Sequence, residues 1–343
     1  MKKPILLILL FTCLLSGVFA QNNAITELIN EGIKMHDKGD YTDAVDQYKK
    51  ALLLNPKSPQ ANYEIASSFF ALKNYETAIK YCNKVIAAQS AYMDQAYILK
   101  GSAQDVLGKP KEAVKTYKLA LQKYTQNYLL FYNLALTSFN LKAYKDTDAA
   151  LRSALKLNPS HASSHFLLAL SMLVQENRVK GILALYNFLL LEPKSKRTTA
   201  ALQTLQEELK KGVKKDSEKS TTITLPGKKA DDEFYTAELM LGLLESSKTN
   251  ESNKTKSAAE IFAENTNSFF TILGEMKKDK KGFWWDFYVD YFYTIATNKH
   301  TEAFCYYIAQ SKDDTYDEWV KDKTNLKKME DFSEWYTKYL HKF

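Results

Sequence analysis

Apolar and small residues in the first half of the chain are spaced for helices, and the helices come in pairs. Leu28, Gly32 and Met35 mark one stripe and Ala44, Tyr48 and Ala51 the next, with the turn Gly39-Asp40 between them. Positions three and four apart share a helix face. Leu54-Asn55-Pro56 ends the second stripe, because proline cannot continue a helix interior. The pair then repeats. Gly32, Ala66, Gly101, Ala135 and Ala169 form a ladder with steps of 34, 35, 34 and 34 residues, and Ala44, Ala78, Ala113, Thr147 and Gly181 form a second with the same steps. Pro56, Pro159 and Pro193 fall on the same period. A fixed period of this length predicts stacked helix hairpins, and the small residues predict where the two helices of each hairpin cross. Tyr48 and its equivalents Cys82, Tyr117, Leu151 and Leu185 are expected to fill the space between neighbouring hairpins.

This pattern resembles the tetratricopeptide repeat family over residues 25–195. Five units are laid out at 25–58, 59–92, 94–127, 128–161 and 162–195, and the extra residue falls in the turn joining units two and three. Tyr41, Tyr75 and Tyr144 recur at one position of the second helix, and Leu-Asn-Pro occurs at 54–56 and 157–159. Thr147 and Lys100 depart from the small and apolar residues expected at their positions. The fold class implied is all-α: a solenoid of helical hairpins followed by a C-terminal helical module.

The resemblance implies a non-enzymatic scaffold that binds a protein or peptide on a concave face. Family geometry places the second, fifth, ninth and twelfth residues of each first helix there. These include Ile29, Ile33, Tyr63, Phe70, Ile98, Tyr132, Phe139, Phe166 and Leu170, a largely apolar and aromatic set. Some family members clamp a partner's C-terminal carboxylate with lysine, arginine and asparagine at such positions. The ninth residues here are Ile33, Ser67, Ser102, Leu136 and Leu170, so charged chain termini are not the expected ligands. So long an apolar stripe is a sticky patch if left uncovered. Either a partner covers it or the chain's own C-terminal part does.

Beyond the array, Ala201, Leu202, Leu205, Leu209 and Val213 predict a helix over 197–213 that caps the last hydrophobic face. Residues 214–230, rich in Lys, Ser and Thr and containing Pro226-Gly227, read as a basic flexible linker. The remainder, 231–343, reads as an aromatic-rich all-helical module with helices carrying Phe234 to Leu244, Ile261 to Met276, Phe283 to Phe292, 300–311 and 315–341. Phe283 to Phe292 is aromatic on almost every face and is expected at the centre of a bundle. The stretch 287–310 is similar to a degraded repeat hairpin, with Ala303 in place but Tyr291 where a small residue belongs.

The N-terminus reads as a cleaved export signal. Lys2 and Lys3 precede the apolar run Ile5 to Leu15, and Val18-Phe19-Ala20 offers a cleavage site before Gln21. The run is short for a bilayer span, which takes roughly 20 residues. The expectation is a periplasmic or secreted protein without a transmembrane segment, and its Lys, Asn and Tyr richness has a bacterial cast. The net charge of +7 does not predict nucleic-acid binding, because residues 194–230 alone carry ten Lys/Arg against four Asp/Glu. Cys82 and Cys305 are read as free and buried, with a single bridge between them left open by an exported protein's compartment.

Candidate chemistry is sparse. His161 and His165 stand four apart without a visible third ligand, so no metal is expected, and surface or capping roles are. Asp286 and Asp290 lie on one helix face amid Trp284 and Trp285, which admits an acid/base pair or a sugar platform as an alternative activity for 231–343; the plain reading is the wet edge of a buried helix. No phosphate-binding glycine loop, nucleophile elbow or His-Glu-x-x-His helix occurs, so no catalytic residue or cofactor is assigned.

Overall fold

A computed structural model describes residues 3–217, 220–224, 233–250, 253–312 and 314–340, with side chains over 21–214, 221–224, 233–248, 250, 253–312 and 314–338. The chain divides into two compact units, Met1–Leu157 and Asn158–Phe343.

The first unit is four helix hairpins: α1 (Lys3–Lys38) with α2 (Tyr41–Leu54), α3 (Pro59–Ala71) with α4 (Tyr75–Ala87), α5 (Met93–Val106) with α6 (Pro110–Leu121), and α7 (Tyr128–Asn140) with α8 (Tyr144–Leu157). The backbone of α1 is continuous through the expected cleavage point, and its buried residues past Gln21 are Ile25, Ile29 and Gly32. Each hairpin turns through one residue in the left-handed region: Gly39, Lys73, Gly108 and Lys142, at φ 91°, 59°, 75° and 59°. The next N–H then reaches five residues back, as Asp40 N to Met35 O at 3.0 Å and Asn74 N to Phe69 O at 2.8 Å. This closure satisfies carbonyls that the helix end leaves open. Lys73 and Lys142 take the conformation without glycine's freedom, which is why glycine spacing alone did not display this ladder.

The small residues do their expected work at the crossings. Gly32, Ala44, Ala66, Ala78, Gly101, Ala113 and Ala135 are all buried. Tyr48 is not confined to the space between hairpins, as its position had implied. Its ring lies on Gly32 of its own hairpin and also joins Ala61 and Ile65 of the next in one cluster.

The second unit begins with the fifth hairpin, α9 (Ala162–Val174) and α10 (Arg178–Leu191), turned through Glu176 at φ 60° and closed by Asn177 N to Met172 O at 2.9 Å. Helix α10 is apolar nearly all round, and every residue from Gly181 to Leu190 is buried. Such a helix must be covered on all sides. It is covered by α9, by α11 (Thr198–Lys210) and by the C-terminal helices α12 (Tyr235–Ser246), α13 (Ala258–Lys277), α14 (Asp290–Thr297) and α15 (Thr301–Ala309). Tyr186 of α10 is the hub: its hydroxyl bonds Thr266 at 2.9 Å, and its ring meets Phe262, Phe270, Phe292 and Phe304. Buried Arg178, also on α10, donates to the terminal carbonyls of α11 at Glu208 (2.7 Å) and Leu209 (3.3 Å), and its guanidinium lies 3.8 Å from the buried Glu238 carboxylate of α12.

Four expectations need correction. The capping helix expected over 197–213 ends at Lys210, and Val213 together with the segment read as a flexible linker forms an antiparallel hairpin, β1 (Val213–Ser217) and β2 (Ser220–Ile223), with Val213 paired to Ile223. The β-branched run Thr221-Thr222-Ile223-Thr224 favours a pleated strand, and Ile223 packs where Gly242 leaves room. The rest of that segment, 218–219 and 225–230, lies outside the described residues. The single helix expected at 315–341 is split into α16 (Thr315–Trp319) and α17 (Lys323–Leu340), because the Asp322 carboxylate accepts from Thr324 N (2.8 Å) and Asn325 N (3.1 Å) and starts a new helix. The aromatic run is π-helical over Trp284–Val289 before passing into α14.

Candidate protein-binding face of the repeats

In the first unit, Ile33, Tyr63, Phe70, Ile98, Tyr132 and Phe139 are half-buried on the first helices of their hairpins. Ile29 is not among them. It is 2% exposed and packed with Ile25, Ala44 and Tyr48, so it offers no surface to a ligand. Tyr63 stacks on Tyr92 with ring centroids 5.8 Å apart, and burial together with Glu64 pushes its phenol up to about 12. Phe70 and Phe139 meet Tyr75 and Tyr144 edge-on at 5.2 and 5.8 Å, so the tyrosine opening α4 and α8 braces the aromatic near the end of the preceding helix.

The twelfth position alternates between aromatic and polar residues. His36 Nδ1 bonds Ser68 Oγ at 2.8 Å, and Thr137 Oγ1 donates to Asp105 Oδ2 at 2.9 Å. Both bonds tie one first helix to the next, through the same two positions of successive repeats. The polar half of that row therefore fastens repeat to repeat, which sequence spacing without pair geometry did not reveal.

In the second unit, the fifth repeat's Phe166 and Leu170 are half-buried. Phe166 packs on Phe188 at 4.7 Å, and the guanidinium of Arg197 lies over both rings at 5.7 and 5.2 Å. Arg197 is fixed by the Glu192 carboxylate and by Ser163 Oγ at 3.2 Å. That hydrogen-bonded arginine holds the Glu192 carboxyl below its ordinary value. Phe166 is thus already engaged by its own chain.

The histidine pair separates into two structural roles. His161 is the N-cap residue of α9, with Nδ1 bonded to Ser164 Oγ at 2.7 Å. His165 is not at the surface; it is fully buried. Its Nε2 bonds the Pro159 carbonyl at 2.8 Å. A carbonyl only accepts, so Nε2 carries the proton and Nδ1 accepts from the Tyr288 hydroxyl at 2.7 Å. Burial lowers this imidazole to about 4.

Asp286 and Asp290 are both held by Lys277, the former at 3.1 Å. The Gly282 N–H and then Lys277 keep the Asp286 carboxyl below its usual range. Trp284 and Trp285 are 3% and 1% exposed. Trp285 stacks on Phe234 at 4.5 Å, carries the Lys280 ammonium over its ring at 4.3 Å and donates its indole N–H to Glu233. Neither indole offers a face to a sugar. Cys82 and Cys305 are free and buried, and burial pushes the Cys82 thiol up to about 12.

The match to known proteins agrees with this geometry. Residues 37–93 match the model of the family described as Tetratricopeptide repeat. The hairpin array is built of tetratricopeptide repeats. Human RNA polymerase II-associated protein 3 is 29% identical over 142 residues, which are 40% of this chain and 21% of that protein. The chain thus spans about a fifth of that relative's length. Among solved structures, YrrB, described as a TPR protein with an unusual peptide-binding site, is 18% identical over 55% of this chain and 98% of its own, at a TM-score of 0.42. The first TPR of Spaghetti (RPAP3) bound to HSP90 peptide SRMEEVD is 30% identical over 35% of this chain and 94% of its own, at a TM-score of 0.33. Tetratricopeptide repeat proteins bind protein or peptide partners. Among the described residues, no helix is long and apolar enough to cross a membrane.

Proposed function

We propose that this chain is an exported, non-enzymatic scaffold whose repeats hold an apolar segment of a protein or peptide partner against their first helices. The observation that carries this reading is the row Tyr63, Ile98 and Tyr132, half-buried and apolar or aromatic at positions spaced by one repeat. Large aromatic side chains at such positions are the usual anchors of an interface, and a helix or an extended segment laid along the row would bury them. The solved RPAP3 repeat carries an acidic HSP90 peptide. Here Ile33, Ser67, Ser102 and Leu136 replace the basic set such a terminus requires, which favours an apolar segment over a chain terminus.

Export rests on the Lys2-Lys3, Ile5–Leu15 and Val18-Phe19-Ala20 pattern, and assembly of an envelope complex is the role such a scaffold would serve. Cleavage after Ala20 would leave Ile25, Ile29 and Gly32 of α1 in place, so loss of the signal is compatible with the first hairpin. A photo-crosslinker placed at Ile98 in the protein in its own cells tests the face. One defined partner should be captured by the native sequence and lost on Tyr63→Ala with Tyr132→Ala while helicity is retained; capture unaffected by that pair moves the interface elsewhere.

A second reading, coverage by the chain's own C-terminal part, is favoured at the fifth repeat. There Arg197 covers Phe166, and Tyr288 reaches His165. The alternative of a carbohydrate-binding or hydrolytic C-terminal unit lacks support from its motivating residues, which are buried indoles and lysine-bound carboxylates.

A further inference from the structure

Where the first two hairpins meet, their first helices hold two carboxylates with no cation between them. His36 of α1 is bonded to Ser68 of α3 at 2.8 Å. Asp37 follows His36, and Glu64 stands one turn before Ser68 on the same face of α3. Glu64 is half-buried and Asp37 exposed. Burial first, and then Asp37, hold the Glu64 carboxyl above its ordinary value. Among the described residues no lysine, arginine or histidine forms an ion pair with either carboxylate. The Tyr48 hydroxyl faces the same junction. It is fully buried and makes no hydrogen bond, and burial, then Glu64 and Asp37, push the phenol well above its ordinary value. Ser68, beside it, is taken by His36. In the third repeat the corresponding Tyr117 hydroxyl meets Ser102 Oγ at 3.2 Å, but the first repeat has Ile33 in that place.

The pair does not recur. Glu64 is replaced by Leu99 and Asn133 in the next two repeats, and Asp37 by Ala71, Val106 and Asn140. The charge therefore marks one end of the row Tyr63, Ile98 and Tyr132. Two carboxylates fall short of the roughly six to eight oxygens a calcium ion takes. They suit one organic cation, held by charge-assisted hydrogen bonds, and Tyr63 beside Glu64 offers aromatic surface to an alkyl stem or a guanidinium. We propose that the segment held by the repeat face carries a lysine or arginine seated at Glu64 and Asp37, with its apolar residues running on over Ile98 and Tyr132. This rests on the reading of the first helices as the binding face. Packed helices stand about 8–10 Å apart and an extended segment advances about 3.3 Å per residue. The apolar residues would thus follow the basic one by about three and six positions.

A random peptide library blocked at both ends, so that no free terminus contributes, tests this on the full chain. Selected peptides should carry a lysine or arginine a few positions from aromatic or aliphatic residues. For the most enriched peptide, exchanging that basic residue for norleucine should weaken binding by about tenfold or more in calorimetry, tenfold being about 1.4 kcal/mol. On the Glu64→Gln, Asp37→Asn chain the same exchange should cost less than about twofold. Asp37→Lys, at an exposed position, should weaken the basic peptide more than Asp37→Asn does, with circular dichroism confirming the fold of each variant. Apolar peptides selected without a basic residue, or a norleucine penalty that persists in the double variant, overturn this inference and leave the apolar face standing. Selection of no peptide, or selection unaffected by Tyr63→Ala with Tyr132→Ala, removes the face and this inference with it.

Discussion

The ring of Tyr48 rests on Gly32 so closely that a Cβ added to the glycine would overlap it, coming within 2.7 Å of Cδ1. Gly101 stands in the same relation to Tyr117. Where the first ladder carries alanine instead, the partner position holds a smaller or more flexible side chain, Cys82 for Ala66 and Leu151 for Ala135. The two positions are therefore sized against each other within each hairpin.

Gly32→Ala should accordingly destabilise the protein by about 1–3 kcal/mol, the range for overpacking a filled core. Adding Tyr48→Leu should recover part of that loss, since the pair then copies Ala135 with Leu151. Urea unfolding of the two single variants and the double variant measures the coupling. Simple additivity would show that the ring and the glycine do not constrain one another.

The hairpin turns predict a gain. Lys142 sits at φ 59° in the closure of α7 onto α8, where a β-carbon is disfavoured. Lys142→Gly should raise stability by about 0.5–1 kcal/mol, the scale of backbone effects at such sites. A lower denaturation midpoint would mean that the lysine side chain contributes more than its backbone conformation costs.

His165 makes the second unit sensitive to acid. Its folded value is near 4, below the ordinary 6.5. Between those values the unfolded chain binds a proton that the folded chain rejects, so this contribution is fully present above about pH 6.5 and is lost as pH falls toward 4. The loss amounts to on the order of 3 kcal/mol at the lower end. Melting the protein at several pH values, with His165→Asn as reference, isolates the effect, because that variant should flatten the slope across this window.

Arg178 is buried with Glu238, beneath the last carbonyls of α11. Arg178→Ala removes the guanidinium beside a buried carboxylate and from two carbonyl acceptors, and should cost about 3–5 kcal/mol by thermal unfolding. Arg178→Met with Glu238→Leu should cost clearly less, since it removes both charges together.

The legibility of this chain in its sequence was uneven for physical reasons. Close crossings demand small residues at a fixed period, so Gly32 through Ala169 displayed the hairpins directly. A left-handed turn accepts lysine or glutamate at modest cost, so the equally regular ladder Gly39, Lys73, Gly108, Lys142 and Glu176 was hidden. The same turn recurs at Lys299, φ 60°, with His300 N bonded to Ile295 O at 3.0 Å. Counting from it puts Phe292 and Phe304 at the two crossing positions, one residue beyond Tyr291 and Ala303, so the hairpin turn survives there and the close crossing does not. On the candidate face, Ile29 and Phe166 had the right spacing, but spacing carries no information about what covers a side chain. The signal available and unused was the composition of α10, Gly181 to Leu190, whose apolar residues leave no polar face and foretell a helix sealed within a larger core.

That sealing has a consequence for how this protein can vary. The break between the compact units lies at Leu157 and Asn158, one repeat before the periodic pattern ends. The unit copied by duplication and the unit that folds cooperatively therefore have different edges. Hairpins before the break can be gained, lost or exchanged as modules, each answering only to its neighbours. The fifth cannot, because Tyr186 and Arg178 have become interior residues of another fold. Lineages carrying this C-terminal part should differ in the number of repeats ahead of Asn158 and keep the last one fixed.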